Sequence, residues 1–167
     1  MSPPDPVDLT QPDQYEIAVR IGLAWIEIRR GASMSTLRDL LLGTGDDVLE
    51  QGQMDTLDLL ADGRGWRMSD LADSLRVDPS SATRAVQRLV NDGLSDRRAS
   101  DDDGRVVLVF ITDGGRRRHA EVAARRGELM KHLMGAFESA ERPLLADLLE
   151  RFVASVDDYV QQVAVTD

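Results

Sequence analysis

One short stretch of the chain is dense in hydrogen-bonding side chains. The set consists of Ser80, Ser81, Thr83, Arg84, Gln87 and Arg88. In the major groove of duplex DNA, an arginine fork can donate two hydrogen bonds to guanine, and a glutamine amide can pair twice with adenine. The set therefore predicts contacts with base edges or phosphates. The alternative interpretation is an ordinary solvated helix face.

A helix over about residues 79–92 would place these side chains on one surface. Pro79 suits the first helical position, which has no use for an N–H, and Asp78 can cap the free amides that follow. Gly93 suits the left-handed residue that closes a helix. The opposite face is apolar and consists of Ala82, Val86, Leu89 and Val90. Their spacing predicts that this face is buried.

The elements on either side complete a recognisable unit. A shorter helix over 70–76, capped by Ser69, ends two residues before Asp78, which is the spacing of a helix-turn-helix. After the second helix, residues 94–98 and 105–112 have strand composition. The polar residues between these strands favour a turn and not a cation site, although they include Asp101, Asp102 and Asp103. Together these elements predict a winged helix-turn-helix.

The remaining segments are mostly helical. The predicted helices are 15–42 with a kink around Gly31–Ser33, 48–61, 116–137 capped by Thr112 and Asp113, and a last helix capped by Ser139 with Pro143 in its first turn. The fold class is therefore mostly α, with about six helices and a small two- or three-stranded wing, Trp66–Met68 being the third strand. We expect an arm at 1–13, a helical dimerisation region at 14–45 and 114–167, and the winged helix-turn-helix at 46–113.

Dimerisation follows from surplus apolar surface on the last helix. Its stripe comprises Leu144, Leu145, Leu148, Leu149, Phe152, Val153, Val156, Tyr159, Val160 and Val163. One terminal helix of a small domain rarely buries so broad a stripe alone. In a homodimer, two recognition helices about 34–36 Å apart would enter successive major grooves of a pseudo-palindromic operator.

Charge is distributed unevenly along the chain. The net charge is −10, yet residues 76–126 hold eleven arginines and eight acidic residues, a local balance of +3. This asymmetry is typical of a DNA-binding face on an acidic body. The acidic total and the three wing aspartates keep open the alternative of a winged-helix module that binds proteins and not DNA.

Composition and motifs disfavour several other classes. The chain has no cysteine, which excludes disulfides and thiol switches. It lacks an 18-residue apolar run and a signal-like N-terminus, so we expect a cytoplasmic protein without a membrane contact. Neither a nucleophile–base pair nor a phosphate loop is present, and His119 and His132 lack the spacing of a metal site. We therefore expect neither an enzyme nor a cofactor.

Three further features of the sequence allow more than one assignment. Trp25 either lines an aromatic ligand pocket or packs in the core. The run Arg116–Arg118 is either a phosphate clamp or a solvated helix start. Arg97 and Arg98 alternate faces on a strand, so at most one of them faces phosphate, and we assign that contact to Arg98.

The pattern resembles the MarR family of bacterial transcription regulators from about residue 15 to residue 163. The resemblance rests on Gln53, on 78–84 at the start of the second helix, on Leu89-x-x-x-Gly93-Leu94, on Arg97-Arg98, and on Asp103-x-Arg105 followed by Val107, Val109, Thr112 and Gly115. The family usually has Asp-Arg-Arg in the wing, whereas this chain has Asp103-Gly104-Arg105.

The resemblance implies a homodimeric helical frame with two winged lobes. Such proteins are usually repressors, and a small phenolic or anionic ligand often releases them from DNA. In this family, the wing aspartate orients the wing arginine. The resemblance assigns the first role to Asp103 and the second to Arg105. A narrow A·T-rich minor groove attracts a guanidinium; the alternative is a surface ion pair. Because the wing has lost one cation, we expect specificity to come mostly from residues 80–88.

Overall fold

A computed structural model describes residues 6–43, 48–100 and 103–164, with the side chain of Ala32 excepted. The element order is α1 (Pro12–Arg30), α2 (Ala32–Leu42), α3 (Gln51–Leu60), β1 (Trp66–Arg67), α4 (Met68–Leu75), α5 (Pro79–Asn91), β2 (Ser95–Ala99), β3 (Val107–Ile111), α6 (Asp113–Met134) and α7 (Glu141–Ala164). The mostly helical class with a three-stranded wing is confirmed. The chain forms two compact units, Met1–Val122 and Ala123–Asp167.

The first predicted helix is divided at the expected place. Gly31 has φ −57° and ψ 139°, which is extended backbone, and its N–H donates to the carbonyl of Glu27. This residue ends α1 and precedes α2, so the predicted kink is a complete break. The helix also begins at Pro12, inside the segment predicted as an arm. Proline at the first helical position explains the early start.

The core of the first unit lies beneath the helix-turn-helix. Met54, Leu57 and Leu60 of α3 are fully buried, as are Val86 and Leu89 of α5. Ala82 is buried and Val90 is partly buried on the same side of α5. The apolar face predicted for α5 is therefore confirmed, and it leaves the opposite side of α5 exposed.

The sheet has the strand order β1-β3-β2 and is antiparallel throughout. Trp66 pairs with Val109, which confirms the minor third strand and its pairing with the wing. Trp66 is buried, and its indole N–H donates to Asp62 at 3.2 Å. The sheet thus fixes the base of the wing against the core.

The predicted cap of α4 is wrong. Helix α4 begins at Met68, directly after β1, and Arg67 occupies the capping position without a side-chain cap. Ser69 therefore lies within the first turn, where its hydroxyl donates to Asp70 at 2.9 Å. The reason is tertiary, because pairing of β1 with β3 fixes where the extended backbone ends. Arg76, with φ 53°, then makes the left-handed turn toward α5.

A close backbone approach joins the wing to α6. The Thr112 hydroxyl accepts from the Gly115 N–H at 3.0 Å, which confirms Thr112 as a cap. A Cβ on Gly115 would overlap the carbonyl oxygen of Leu94. Only glycine therefore allows α6 to start this close to the strand that follows α5.

The second unit contains the end of α6 and all of α7. Helix α6 ends at Met134, three residues earlier than predicted, and α7 begins at Glu141 and not directly after Ser139. The Glu141 side chain accepts from the Glu138 N–H at 2.8 Å, in the segment just before α7. Pro143 lies in the first turn, as predicted. No residue of α7 is buried.

Candidate nucleic-acid interface

Helix α5 has the predicted caps. Asp78 is the N-cap, Pro79 is the first helical residue, and Gly93 has φ +69° immediately after the helix. One Asp78 oxygen accepts from the Ser81 N–H at 3.0 Å. The start and end of the polar face are therefore fixed by local contacts.

The two serines at the start of α5 are engaged by the cap. Both hydroxyls donate to the Asp78 carboxylate, Ser81 at 2.6 Å. Hydrogen bonds from Ser80 and then Ser81 hold the pKa of Asp78 well below its usual range. Because both hydroxyl protons are donated to the Asp78 carboxylate, the two hydroxyls can act mainly as hydrogen-bond acceptors. Phosphate oxygens are also acceptors, so they cannot donate a hydrogen bond to either hydroxyl. The predicted DNA contacts of Ser80 and Ser81 stay predictions.

The next turn of α5 presents three exposed side chains with different partners. The Thr83 hydroxyl donates to the Pro79 carbonyl at 2.7 Å, and Arg84 donates to the Ser81 hydroxyl at 2.9 Å. Arg88 forms an ion pair with Glu50, just before α3. Arg84 retains further guanidinium donors for a base or phosphate, whereas the charge of Arg88 is partly neutralised.

Gln87 is held between two neighbours. Its Oε1 accepts from Arg97 Nη1 at 3.1 Å, and its Nε2 donates to Asn91 Oδ1 at 2.9 Å. Arg97 belongs to β2, so this bond joins the wing to the exposed face of α5. Sequence reasoning did not assign Arg97 to the site.

The structure separates Arg97 from the residue that was predicted, Arg98. Arg98 binds Asp96 at 2.7 Å and lies 5.1 Å from the centre of the Phe110 ring. Arg97 pairs in the sheet with the buried Val109, so the two arginines lie on opposite sheet faces. Side chains alternate between the two faces of a sheet, so the position of Val109 on the buried face was the signal that could have identified its partner Arg97. A DNA contact of Arg98 stays a prediction.

The wing tip is organised by Asp103. Its Oδ1 accepts from the backbone N–H of Arg105 at 3.0 Å, and its carbonyl accepts from the Val106 N–H at 2.8 Å. The carboxylate thus shapes the turn through the main chain and exposes Arg105 at the tip. Asp101 and Asp102 of the predicted turn lie outside the described residues.

The arginine run on α6 is divided between two environments. Arg118 is half-buried, donates to the Leu42 carbonyl at 3.1 Å and pairs with Glu121 at 3.1 Å. Arg118 therefore ties α6 to the end of α2, while Arg116 and Arg117 are exposed. Neither the phosphate clamp nor the solvated helix start describes all three residues.

The histidines do not form a metal centre in the part of the chain that the structure describes, where no cluster of potential metal ligands occurs. His119 Nε2 lies 3.0 Å from Asp58 Oδ1 and joins α6 to α3. His132 is exposed near the end of α6. The same described residues include no helix long and apolar enough to cross a membrane.

Gln53 has a structural role that the spacing alone did not identify. Its Oε1 accepts from the Glu50 N–H at 3.0 Å, and its Nε2 donates to Asp92 at 2.8 Å. The residue is buried. It therefore caps α3 and ties that helix to the end of α5.

Trp25 is exposed on α1, with 42% of its surface accessible. The interpretation of Trp25 as a core residue is therefore wrong for the single chain, in which no residue of α1 is buried. Two surface depressions among the described residues are lined by other side chains, around Leu49 and around Phe110. The predicted ligand pocket at Trp25 stays a prediction.

The fold and the site define a class: winged helix-turn-helix proteins with an exposed polar recognition helix, here α5. Residues 49–107 match the model of the MarR family. The chain is 29% identical over 110 residues to the uncharacterized HTH-type transcriptional regulator YdgJ of Bacillus subtilis, covering 66% of this chain and 67% of YdgJ.

Two solved structures share the fold. FabT of Streptococcus pneumoniae, in complex with DNA, has a TM-score of 0.64 at 18% identity and covers 90% of this chain and 99% of its own. PcaV of Streptomyces coelicolor, in complex with its natural ligand, has a TM-score of 0.59 at 23% identity, with coverage of 91% and 99%. The match to the MarR family model covers the winged helix-turn-helix part of the chain. The family-model match, the transcriptional regulators among the relatives and the shared fold support a DNA-binding regulator and not a protein-interaction module.

Proposed function

We propose that this protein is a homodimeric, sequence-specific repressor that binds a pseudo-palindromic operator through α5 and the wing. One observation carries the proposal. The α5 helix buries Ala82, Val86 and Leu89 and exposes Thr83, Arg84, Gln87 and Arg88, so its outer face offers donors and acceptors without an apolar patch. Such a face suits the major groove, where each base pair has its own pattern of donors and acceptors.

The wing adds a second contact in this proposal. Arg105 is exposed at the tip of a turn that Asp103 holds through the main chain. A guanidinium at this position suits a narrow minor groove beside the base-reading helix. Arg84 and Arg105 then play different parts, the first in base recognition and the second in reading groove shape.

Dimerisation is supported by the terminal helices. Neither α1 nor α7 has a buried residue, and both carry large exposed apolar side chains. The occupant that we propose for these faces is a second copy of the chain, because a symmetric operator requires two recognition helices. We also propose that the winged helix-turn-helix is residues 46–113 and that 14–45 and 114–167 serve dimerisation.

An effector is the remaining part of the proposal. PcaV was solved with its natural ligand, and the MarR resemblance points to a phenolic or anionic molecule. Trp25 is the residue that we assign to such a pocket, which the second copy would complete. In this role the protein acts in the cytoplasm and has no catalytic activity. Calorimetric titration with phenolic acids, comparing wild type with Trp25→Ala, tests the effector.

The DNA-binding proposal is tested by selecting bound duplexes from a random pool. We expect a symmetric motif whose half-sites lie about one helical turn apart, with affinity that falls steeply with salt because counterions are released. Arg84→Ala and Arg105→Ala should each weaken binding, Arg84→Ala by about tenfold or more at one base pair. Unchanged affinity in both variants would show that the assigned face is wrong.

A further inference from the structure

We infer that Arg97 is a positioning residue for base recognition: it holds the amide of Gln87 in the one orientation that reads adenine. The inference rests on the proposed function and goes beyond it, because Arg97 would act on specificity without touching a base. The contact that carries it is the 3.1 Å hydrogen bond from Arg97 Nη1 to Gln87 Oε1.

The chemistry of the two side chains fixes the orientation of the amide. A guanidinium has only donors, so the Gln87 atom that faces Arg97 must be the oxygen. Nε2 then points toward Asn91 and donates to Oδ1 at 2.9 Å. A half-turn of the amide would place an NH₂ group against the guanidinium and lose the hydrogen bond from Arg97.

The oriented amide still has one free acceptor and one free donor for adenine. Oε1 has a second lone pair, and Nε2 has a second hydrogen after the bond to Asn91. Adenine presents an N6 donor and an N7 acceptor in the major groove, which matches an amide in this orientation. Because the Gln87 amide is oriented before DNA binds, ordering it during binding costs less free energy.

The sheet register explains why Arg97 can do this and Arg98 cannot. Arg97 is paired with Val109, which is fully buried on the face of the sheet that packs against the helices. Arg98 is paired with Leu108 and lies over Phe110 on the other face. Two neighbouring residues of equal charge therefore have different roles, and Arg98 serves as a matched control.

The main alternative is a direct contact of Arg97 with a phosphate. A phosphate contact contributes to binding of every sequence, and its loss lowers the salt slope of the affinity by about one. Loss of a positioning contact instead reduces the preference at one base pair and leaves the salt slope unchanged. The two roles therefore give different measurements on the same variants.

The experiment uses the full-length protein and the motif selected by the wild type. Gln87→Ala first identifies the base pair that depends on Gln87, as the position whose preference is lost. Affinities are then measured for the selected duplex and for one changed at that pair, with Arg97→Ala, Arg97→Lys, Arg98→Ala and the Gln87→Ala/Arg97→Ala double variant. Salt slopes are measured for each protein.

We expect wild type to prefer A·T at this position by about tenfold or more. Arg97→Ala should reduce the preference to that of Gln87→Ala, and the double variant should lose no more. Arg97→Lys, which retains a donor, should recover part of the preference. Arg98→Ala should keep the whole preference, because the phosphate contact predicted for Arg98 contributes equally to both duplexes.

Several results would overturn the inference while leaving the proposed function intact. One is full preference in Arg97→Ala beside a wild type that selects a clear motif. Another is uniform weakening with a lower salt slope, which would assign Arg97 to a phosphate, and a third is a Gln87→Ala variant with no altered position. A wild type that selects no motif would overturn the proposed function, and this inference with it.

Discussion

The winged part of the chain buries its large apolar side chains, whereas the two terminal helices leave theirs exposed. In the winged part, Met54, Leu57 and Val86 are fully buried, and the exposed side of α5 is polar. In the terminal helices, Leu23 and Leu144 are exposed by 61% and 58%, and neither helix has a buried residue. The difference supports the proposal that the first region is completed within one chain and that a second copy of the chain covers the terminal helices.

This contrast has a thermodynamic meaning. Burial of apolar surface contributes roughly 25 cal/mol per Å², so the winged part is stabilised by its own side chains. The same residue types on α1 and α7 gain that contribution only when a second surface covers them. Stability of the winged part should therefore be independent of protein concentration, and association through the terminal helices should depend on it.

The largest expected effect comes from a core truncation in the winged part. Leu57→Ala removes most of a fully buried side chain and should lower the free energy of unfolding by about 3 kcal/mol, because the burial of the removed atoms is lost and the surrounding structure fills the cavity only partly. Urea unfolding measures the loss. Val107→Ala in β3, where the side chain is 48% exposed, is the control and should cost about 0.5 kcal/mol. Equal losses in the two variants would contradict the burial described for α3.

The next effect concerns association through α7. Val153→Glu places a carboxylate on the apolar side of the helix, where Val153 is 57% exposed in the single chain. An unpaired charge in an apolar interface should raise the dimer dissociation constant by about 100-fold. Sedimentation over a concentration series measures it.

Gln161→Glu, on the polar side of α7, adds the same charge and should leave association unchanged. A Val153→Glu protein that associates as tightly as wild type would show that α7 does not form the interface. Loss of association in both variants would instead indicate a general effect of charge.

The smallest effect is the pH dependence of the α5 cap. The pKa of Asp78 is lowered in the folded chain by the Ser80 and Ser81 hydroxyls, so its ionised form stabilises the fold above the unfolded pKa of about 3.9. This stabilisation is lost as the pH falls through the lower, folded pKa. Asp78→Asn retains a capping oxygen but cannot titrate.

Urea unfolding of wild type and Asp78→Asn from pH 7 to pH 3 tests this prediction. The stability difference between the two proteins should be constant above about pH 5 and should shift against wild type at lower pH. A difference that is the same at every pH would indicate that Asp78 titrates alike in the folded and unfolded chains.

Local signals predicted most of the helix-turn-helix. The cap by Asp78, the start at Pro79 and the left-handed Gly93 depend on neighbours in sequence, and each is confirmed. The apolar face of α5 follows from helical spacing for the same reason. The predicted cap by Ser69 failed because strand pairing of Trp66 and Arg67 determines where α4 begins.

The candidate site was predicted in outline but not in its contacts. The exposed residues of α5 follow from the helix period, whereas the Arg97 contact with Gln87 joins positions ten residues apart on different elements. The pairing of Arg88 with Glu50 and of Gln53 with Asp92 likewise joins separate elements. No local rule predicts such pairs, because they depend on how α3, α5 and β2 pack.

The sequence by itself determined the caps of α5, the helical period and the apolar stripes, since each depends on residues within one turn or one strand. Only the tertiary structure decided which arginine of β2 faces α5 and which partners hold Gln87. The physical reason is register: a shift of one residue in a strand reverses every side chain. In β2 that register is fixed by pairing with Val109 in the core, far from Arg97 in sequence.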